Sequence, residues 1–173
     1  MLCDKANHQT KWTIRKFKAV NGLSSEQVSK KHFAGEAGFD PYETKEINGN
    51  LLLNEGIAEL WDLAITTGST KFDNTNARLG VGDSATAAAA TQTDLQAATN
   101  KTYKAMEATY PSRSAQTVTW RSVFASGDAN YAWQEFVVDN GATALKTLNR
   151  KVSAQGTKAS GQTWTLDLDI TLS

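Results

Sequence analysis

The clearest pattern in the chain lies at its C-terminal end. Trp164, Leu166, Leu168, Ile170 and Leu172 alternate with Thr163, Thr165, Asp167, Asp169 and Thr171. A period of two places all the apolar side chains on one face of a strand and the polar ones on the other. The same alternation, in shorter form, runs through residues 77–81 (Ala77, Leu79, Val81), 101–110 and 116–125 (Val118, Trp120, Ser122, Phe124). Residues 131–138 are nearly apolar throughout, as in a strand covered on both faces, and 145–152 form a weaker candidate. Ser126-Gly127-Asp128-Ala129-Asn130 is a turn. Short strands separated by turn chemistry predict a mainly β protein, an antiparallel β-sandwich or half-open barrel. The alternating helices that a parallel α/β sheet needs are missing.

One segment has helical periodicity. Leu53, Ile57, Leu60, Trp61 and Ala64 fall on one face of a 3.6-residue repeat, which predicts an amphipathic helix over about 51–67 covering one face of a sheet. Asn50 is placed to cap its start and Gly68 to close it. Gly56 inside the helix costs about 1 kcal/mol relative to alanine, unless it admits the close approach of a strand. Residues 83–100 contain few large apolar side chains and exceed the usual loop length. They read either as a helical turn on the sheet edge or as a surface loop made for contact.

Residues 1–49 are the most polar and least periodic part of the chain. A strand is expected over 11–18 and a second over 42–47, with one or two helical turns at 24–31. The pattern divides the chain into an N-terminal arm or hairpin region (1–49) and a β-sandwich domain (50–173). Two readings of the first region stand side by side. In one it is an extended arm that orders on a neighbour by strand addition, with Trp12, Ile14, Phe17, Phe33, Phe39 and Tyr42 as its partner-binding anchors. In the other it is a hairpin and loop packed on its own domain.

Charge and composition narrow the function. The 173 residues carry 18 basic and 18 acidic side chains, a net charge of zero. Such a chain has no global field to attract nucleic acid. No stretch approaches the ~18 apolar residues of a membrane span, and the first twenty residues lack a signal-peptide core, so synthesis and assembly in a cytosol are expected. Cys3 is the single cysteine, which excludes an intrachain disulfide and a thiolate zinc site.

Candidate chemistry is sparse. His8 and His32 lie in the irregular region, and no G-x-S-x-G occurs. Cys3 beside either histidine could form an activated thiol, but at the start of a polar arm it lacks the fixed geometry that such a nucleophile needs. Asp167 and Asp169 share one face of a strand about 7 Å apart. They could clamp a metal or act as the acid and base of a glycosidase, or simply solvate an outer face. Gly80-Val81-Gly82-Asp83 lacks the third glycine and following helix of a dinucleotide loop. Lys30-Lys31-His32 and Arg15-Lys16 have no stacking platform for nucleic acid beside them. No catalytic residue, metal or cofactor is expected.

Three segments read in order carry a resemblance. They are Asn50-Leu51-Leu52-Leu53-Asn54-Glu55-Gly56-Ile57; Leu79-Gly80-Val81-Gly82-Asp83 followed by Thr91-Gln92-Thr93-Asp94-Leu95; and Lys158-Ala159-Ser160-Gly161-Gln162-Thr163-Trp164-Thr165-Leu166. With Trp133-Gln134-Glu135-Phe136-Val137 between the last two, this order resembles a family of tailed-bacteriophage virion structural proteins over about residues 50–173. The resemblance implies a non-catalytic, oligomeric part of the virion, assembled in the host cytoplasm. Its leading form is a capsid decoration (cement) protein bound to the major capsid protein or other virion proteins, without nucleic acid or membrane. A tail, baseplate or tail-fibre attachment component is the alternative. A carbohydrate-binding module using Trp120, Trp133 or Trp164 is the alternative of another class, against which the apolar faces of Trp120 and Trp164 argue.

Overall fold

The structure, a computed structural model, describes residues 7–141, 143 and 145–173. Ten strands form two antiparallel five-stranded sheets packed face to face, the sandwich that the alternation predicts. In chain order the elements are β1 (His8–Phe17), α1 (Ser25–Phe33), β2 (Glu43–Asn48), β3 (Leu51–Leu52), α2 (Asn54–Ile65), β4 (Arg78–Gly82), β5 (Lys101–Ala105), β6 (Ser112–Ser114), β7 (Thr117–Phe124), β8 (Glu135–Asp139), β9 (Thr147–Val152) and β10 (Thr163–Leu172). One sheet runs β2-β1-β10-β7-β6 and the other β3-β9-β8-β4-β5.

The first and last strands pair along their whole length, from His8 opposite Leu172 to Phe17 opposite Thr163. The register sets Trp12 against Leu168 and Ile14 against Leu166, so the apolar sets of both strands face the same way. Backbone bonds between Asn7 and Ser173, of 2.6 and 2.9 Å, close the ladder at its end. From the opposite sheet Phe136 meets Trp12 with ring centroids 5.8 Å apart. Trp133 stands edge-on to both Phe124 and Trp164 at 4.8 Å. These rings, with Leu79, Val81, Val138 and Leu148, form the core between the sheets.

This arrangement corrects the expected division at residue 50. The first region is not an arm: β1 lies inside a sheet, between β2 and β10. Trp12, Ile14 and Phe17 are at most 1% exposed, which removes them as anchors for a partner. The physical reason is that β1 supplies half of the central ladder and one wall of the core. The intervening residues follow the packed-hairpin reading. α1 starts with a capping box between Ser24 and Gln27 and lies across the outer face of the β1 sheet, where Ser25 Oγ meets Thr163 Oγ1 at 2.9 Å.

Residues 83–100 also find their partners within the chain. They cross the outer face of the second sheet and are fastened by a fully buried ion pair, Glu135 with Arg150 at 2.8 Å. Glu135 accepts from the backbone N–H groups of Gln96 and Ala97 at 2.8 and 2.7 Å. Arg150 donates to Gln92 Oε1 and the Thr86 carbonyl. A carboxylate with this many donors offsets the cost of its burial. Gly82 makes room for it: a Cβ there would sit 2.4 Å from Glu135 Oε1. The glycines of Gly80-Val81-Gly82-Asp83 are thus explained by packing against β8 and Tyr103.

Deleting residues 1–45 removes β1, α1 and the start of β2. The truncated chain is expected to lose its cooperative thermal unfolding transition altogether. A fragment 46–173 that still melts cooperatively by circular dichroism would show that the sandwich closes without β1.

Candidate docking surface

The residue types capable of catalysis are held in structural pairs. Asp167 accepts from Arg121 at both carboxylate oxygens, at 2.8 and 2.5 Å, and from Arg15 at 2.8 Å. Asp169 accepts from Thr119 Oγ1 at 2.7 Å, and Lys11 approaches it at 3.8 Å. The two aspartates do share one outer face, as the strand period requires, but each is locked by its cross-strand neighbours. Arg121 in turn lies between the rings of Phe33 and Tyr110, 4.1 and 4.6 Å from their centroids. Among the described residues no group of three or more His, Cys, Asp and Glu side chains is placed to hold a metal. Cys3 lies outside the described residues. His32 packs against Phe17 and Phe33 and faces Asp40 at 3.4 Å; His8 sits at the far end of β1.

Two buried groups have shifted proton affinities, each with a structural cause. Burial pushes the Asp139 carboxyl above its ordinary range, while the Arg78 guanidinium, bonded at 3.0 and 2.7 Å, pulls it back. Lys158 has no exposed surface, and its Nζ donates to the Ala125 carbonyl and Asn130 Oδ1 at 2.7 and 2.9 Å. Desolvation lowers its pKa to about 8. A lysine so enclosed cannot reach a substrate. Trp120, Trp133 and Trp164 are 6%, 0% and 1% exposed, so none provides a sugar-stacking platform.

The six expected anchors are dispersed. Phe33 and Tyr42 are exposed and Phe39 is half-buried under Lys31, whose Nζ lies 5.0 Å from its ring centroid. What the structure brings together is a surface that the periodicity had assigned to the core. α2 exposes Ile57 (38%), Leu60 (42%), Trp61 (65%) and Ile65 (76%). At about 100° per residue these span an arc roughly 140° wide. The side of the helix turned inward carries Gly56 and Glu59 instead.

The cause lies in how α2 meets β9. A Cβ at Gly56 would fall 2.4 Å from Leu148 Cα and 2.7 Å from the Thr147 carbonyl oxygen. The helix therefore rests backbone to backbone on the strand, at the one position without a side chain. Glu59 fixes its rotation, accepting from the Thr70 N–H at 2.9 Å and from Asn140 Nδ2 at 3.1 Å. Glu55 accepts from the Thr147 N–H at 2.7 Å. With the acidic side chains tied inward, the broad apolar arc faces solvent.

An apolar groove of about 250 Å³ continues this arc into the open end of the sandwich, lined by Leu60, Leu63, Phe72, Trp120, Ile170 and Leu172. Leu172 is itself 56% exposed. The five exposed side chains present on the order of 500 Å² of apolar surface, the size at which a monomer's patch marks an interaction site. The signal present in the sequence was the width of the apolar arc, greater than one sheet contact covers, together with Gly56. Leu172 was assigned to the apolar face of its strand, but its exposed end position was not.

No family model, curated protein or solved structure matches the chain.

Two measurements test these contacts. Gly56→Ala is expected to destabilise the fold by about 2–3 kcal/mol through collision with β9, although the same change in a free helix would stabilise it by about 1 kcal/mol; chemical denaturation reads the sign. Lys158 generates a pH dependence. Between pH 8 and its ordinary value of 10.5 the unfolded chain still holds a proton that the folded chain has released, so this group makes stability rise with pH across that window. Melting curves of the native protein minus those of Lys158→Met should show that rise; a flat difference would contradict it.

Proposed function

We propose that the protein is a non-catalytic structural component of a tailed-bacteriophage virion, a decoration protein that binds the capsid shell through α2. The observation that carries this reading is the solvent-facing apolar surface of Ile57, Leu60, Trp61, Ile65 and Leu172, on a helix whose polar side chains Glu55 and Glu59 are tied inward. An aromatic anchor flanked by aliphatic side chains is the usual energetic centre of a protein interface. Burying Trp61 and Ile65 together against a partner contributes roughly 3–6 kcal/mol before the cost of association.

Three further features support it. The pairing of the acidic and basic groups within the fold leaves the outer faces polar and self-satisfied. The zero net charge suits a module packed at high density on a lattice, where a charged one would repel its copies. The ordered motifs over residues 50–173 resemble virion structural proteins. On a symmetric shell, repeated weak contacts raise occupancy without demanding a tight single site.

Particles purified from a phage encoding this chain are expected to contain hundreds of copies of it, counted by quantitative gel analysis. The double variant Trp61→Glu, Ile65→Glu should fold with an unchanged melting midpoint and lose at least about tenfold in binding to particles stripped of the native protein. Native-level occupancy by the variant would remove α2 as the docking element. A count of tens of copies would move the protein to the tail.

A further inference from the structure

A second surface differs in chemistry from the apolar one. β2 ends at Asn48, and the chain leaves through Gly49 and Asn50 to β3 in the opposite sheet, while β1 runs on to His8 paired with β10 alone. The gap beside the end of β1 is a cleft of about 730 Å³, lined among others by His8, Thr10, Lys11, Asn50, Asp169 and Thr171. Among the described residues seven buried side-chain nitrogen or oxygen atoms have no hydrogen-bond partner, and four belong to this cleft: His8 Nε2, Thr10 Oγ1, and both Nδ2 and Oδ1 of Asn50. Thr10 is only 6% exposed. Buried polar atoms are nearly always satisfied, so their concentration in one open cleft indicates a missing partner.

The charges lining the cleft are already neutralised. Lys11 lies 3.3 Å from Glu46 and 3.8 Å from Asp169, and Asp169 also accepts from Thr119. What remains unengaged is neutral: a hydroxyl, an imidazole nitrogen and a primary amide. An amide sets a donor and an acceptor side by side, the spacing that two adjacent hydroxyl groups match. A charged ligand would find no free counter-charge, and an apolar one would leave the orphaned atoms unsatisfied.

We propose that this cleft binds a neutral, hydroxyl-rich ligand, a glycan, with Asn50 bridging adjacent hydroxyls and Thr10 and His8 completing the contacts. The site is independent of the docking reading: it shares only His8 with the apolar groove beside α2. It is also distinct from a tryptophan-platform sugar site, because its polar groups would recognise the hydroxyl edge of the sugar rather than its apolar face.

The test titrates the full-length, isotope-labelled protein with methyl glycosides of hexoses, N-acetylhexosamines and deoxyhexoses at millimolar concentration, followed by amide shifts. Glucuronate and inorganic phosphate serve as charged controls. At least one neutral glycoside is expected to move the amides of residues 8–11, 48–50 and 169–171, with the charged controls silent. Asn50→Ala and Thr10→Val should each weaken that binding about tenfold or more while the melting midpoint stays level or rises, since an unsatisfied buried group is removed. Trp61→Glu, Ile65→Glu should bind the glycoside as the native protein does. The proposal is overturned if no neutral glycoside moves those amides, if phosphate or glucuronate moves them equally, or if both cleft variants bind unchanged. It is overturned too if a crystal structure with the glycoside shows ordered water only in the cleft.

Discussion

The pairing of the first strand with the last is the constraint on which the rest of the molecule depends. β1 and β10 form the longest ladder in the fold, in the middle of one sheet, and their shared register orients Trp12, Ile14, Leu166 and Leu168 toward the second sheet. A contact between the two ends of a chain requires a large loop closure, and it repays that cost through the many apolar contacts that it assembles at once. β2 and α1 then follow, because both pack on strands that this ladder has already placed. A region that reads locally as a polar appendage is for this reason part of the core.

Electrostatics in this protein act mainly within the fold. Asp167 joins Arg15 and Arg121 on one sheet, Asp139 joins Arg78 on the other, and Glu135 with Arg150 pins residues 83–100. Each acidic group that a search for catalysis would select is satisfied by neighbours that leave it no open coordination or proton-transfer role. The equal numbers of acidic and basic residues are consistent with this arrangement, in which opposite charges meet across adjacent strands rather than accumulating on one face.

Against that self-satisfied exterior two places stand out, and they differ in kind. The α2 arc is apolar, broad and solvent-facing because the helix meets β9 through Gly56. The cleft beside β1 is polar and holds unsatisfied atoms because β2 stops short and the chain crosses between sheets there. Both arise where a regular element ends or approaches its neighbour unusually closely. The regular parts of the sandwich satisfy their own hydrogen bonds and bury their own apolar faces, leaving little to offer a partner.

The sequence by itself determined the strands, the helix and the sandwich class, because period-two alternation in β10 and β7 and the 3.6-residue spacing near 53–64 are local properties of the backbone. The capped turns at Ser24 and the locked strand aspartates were legible for the same reason. Tertiary structure alone decided the strand order, the place of β1 in a central ladder, and the cover made by residues 83–100. It also decided which side of α2 faces water. Periodicity shows that a helix has an apolar face; it does not show that a single glycine, set against a distant strand, turns that face outward. Contacts between residues far apart in the chain settle such questions, and no local pattern encodes them.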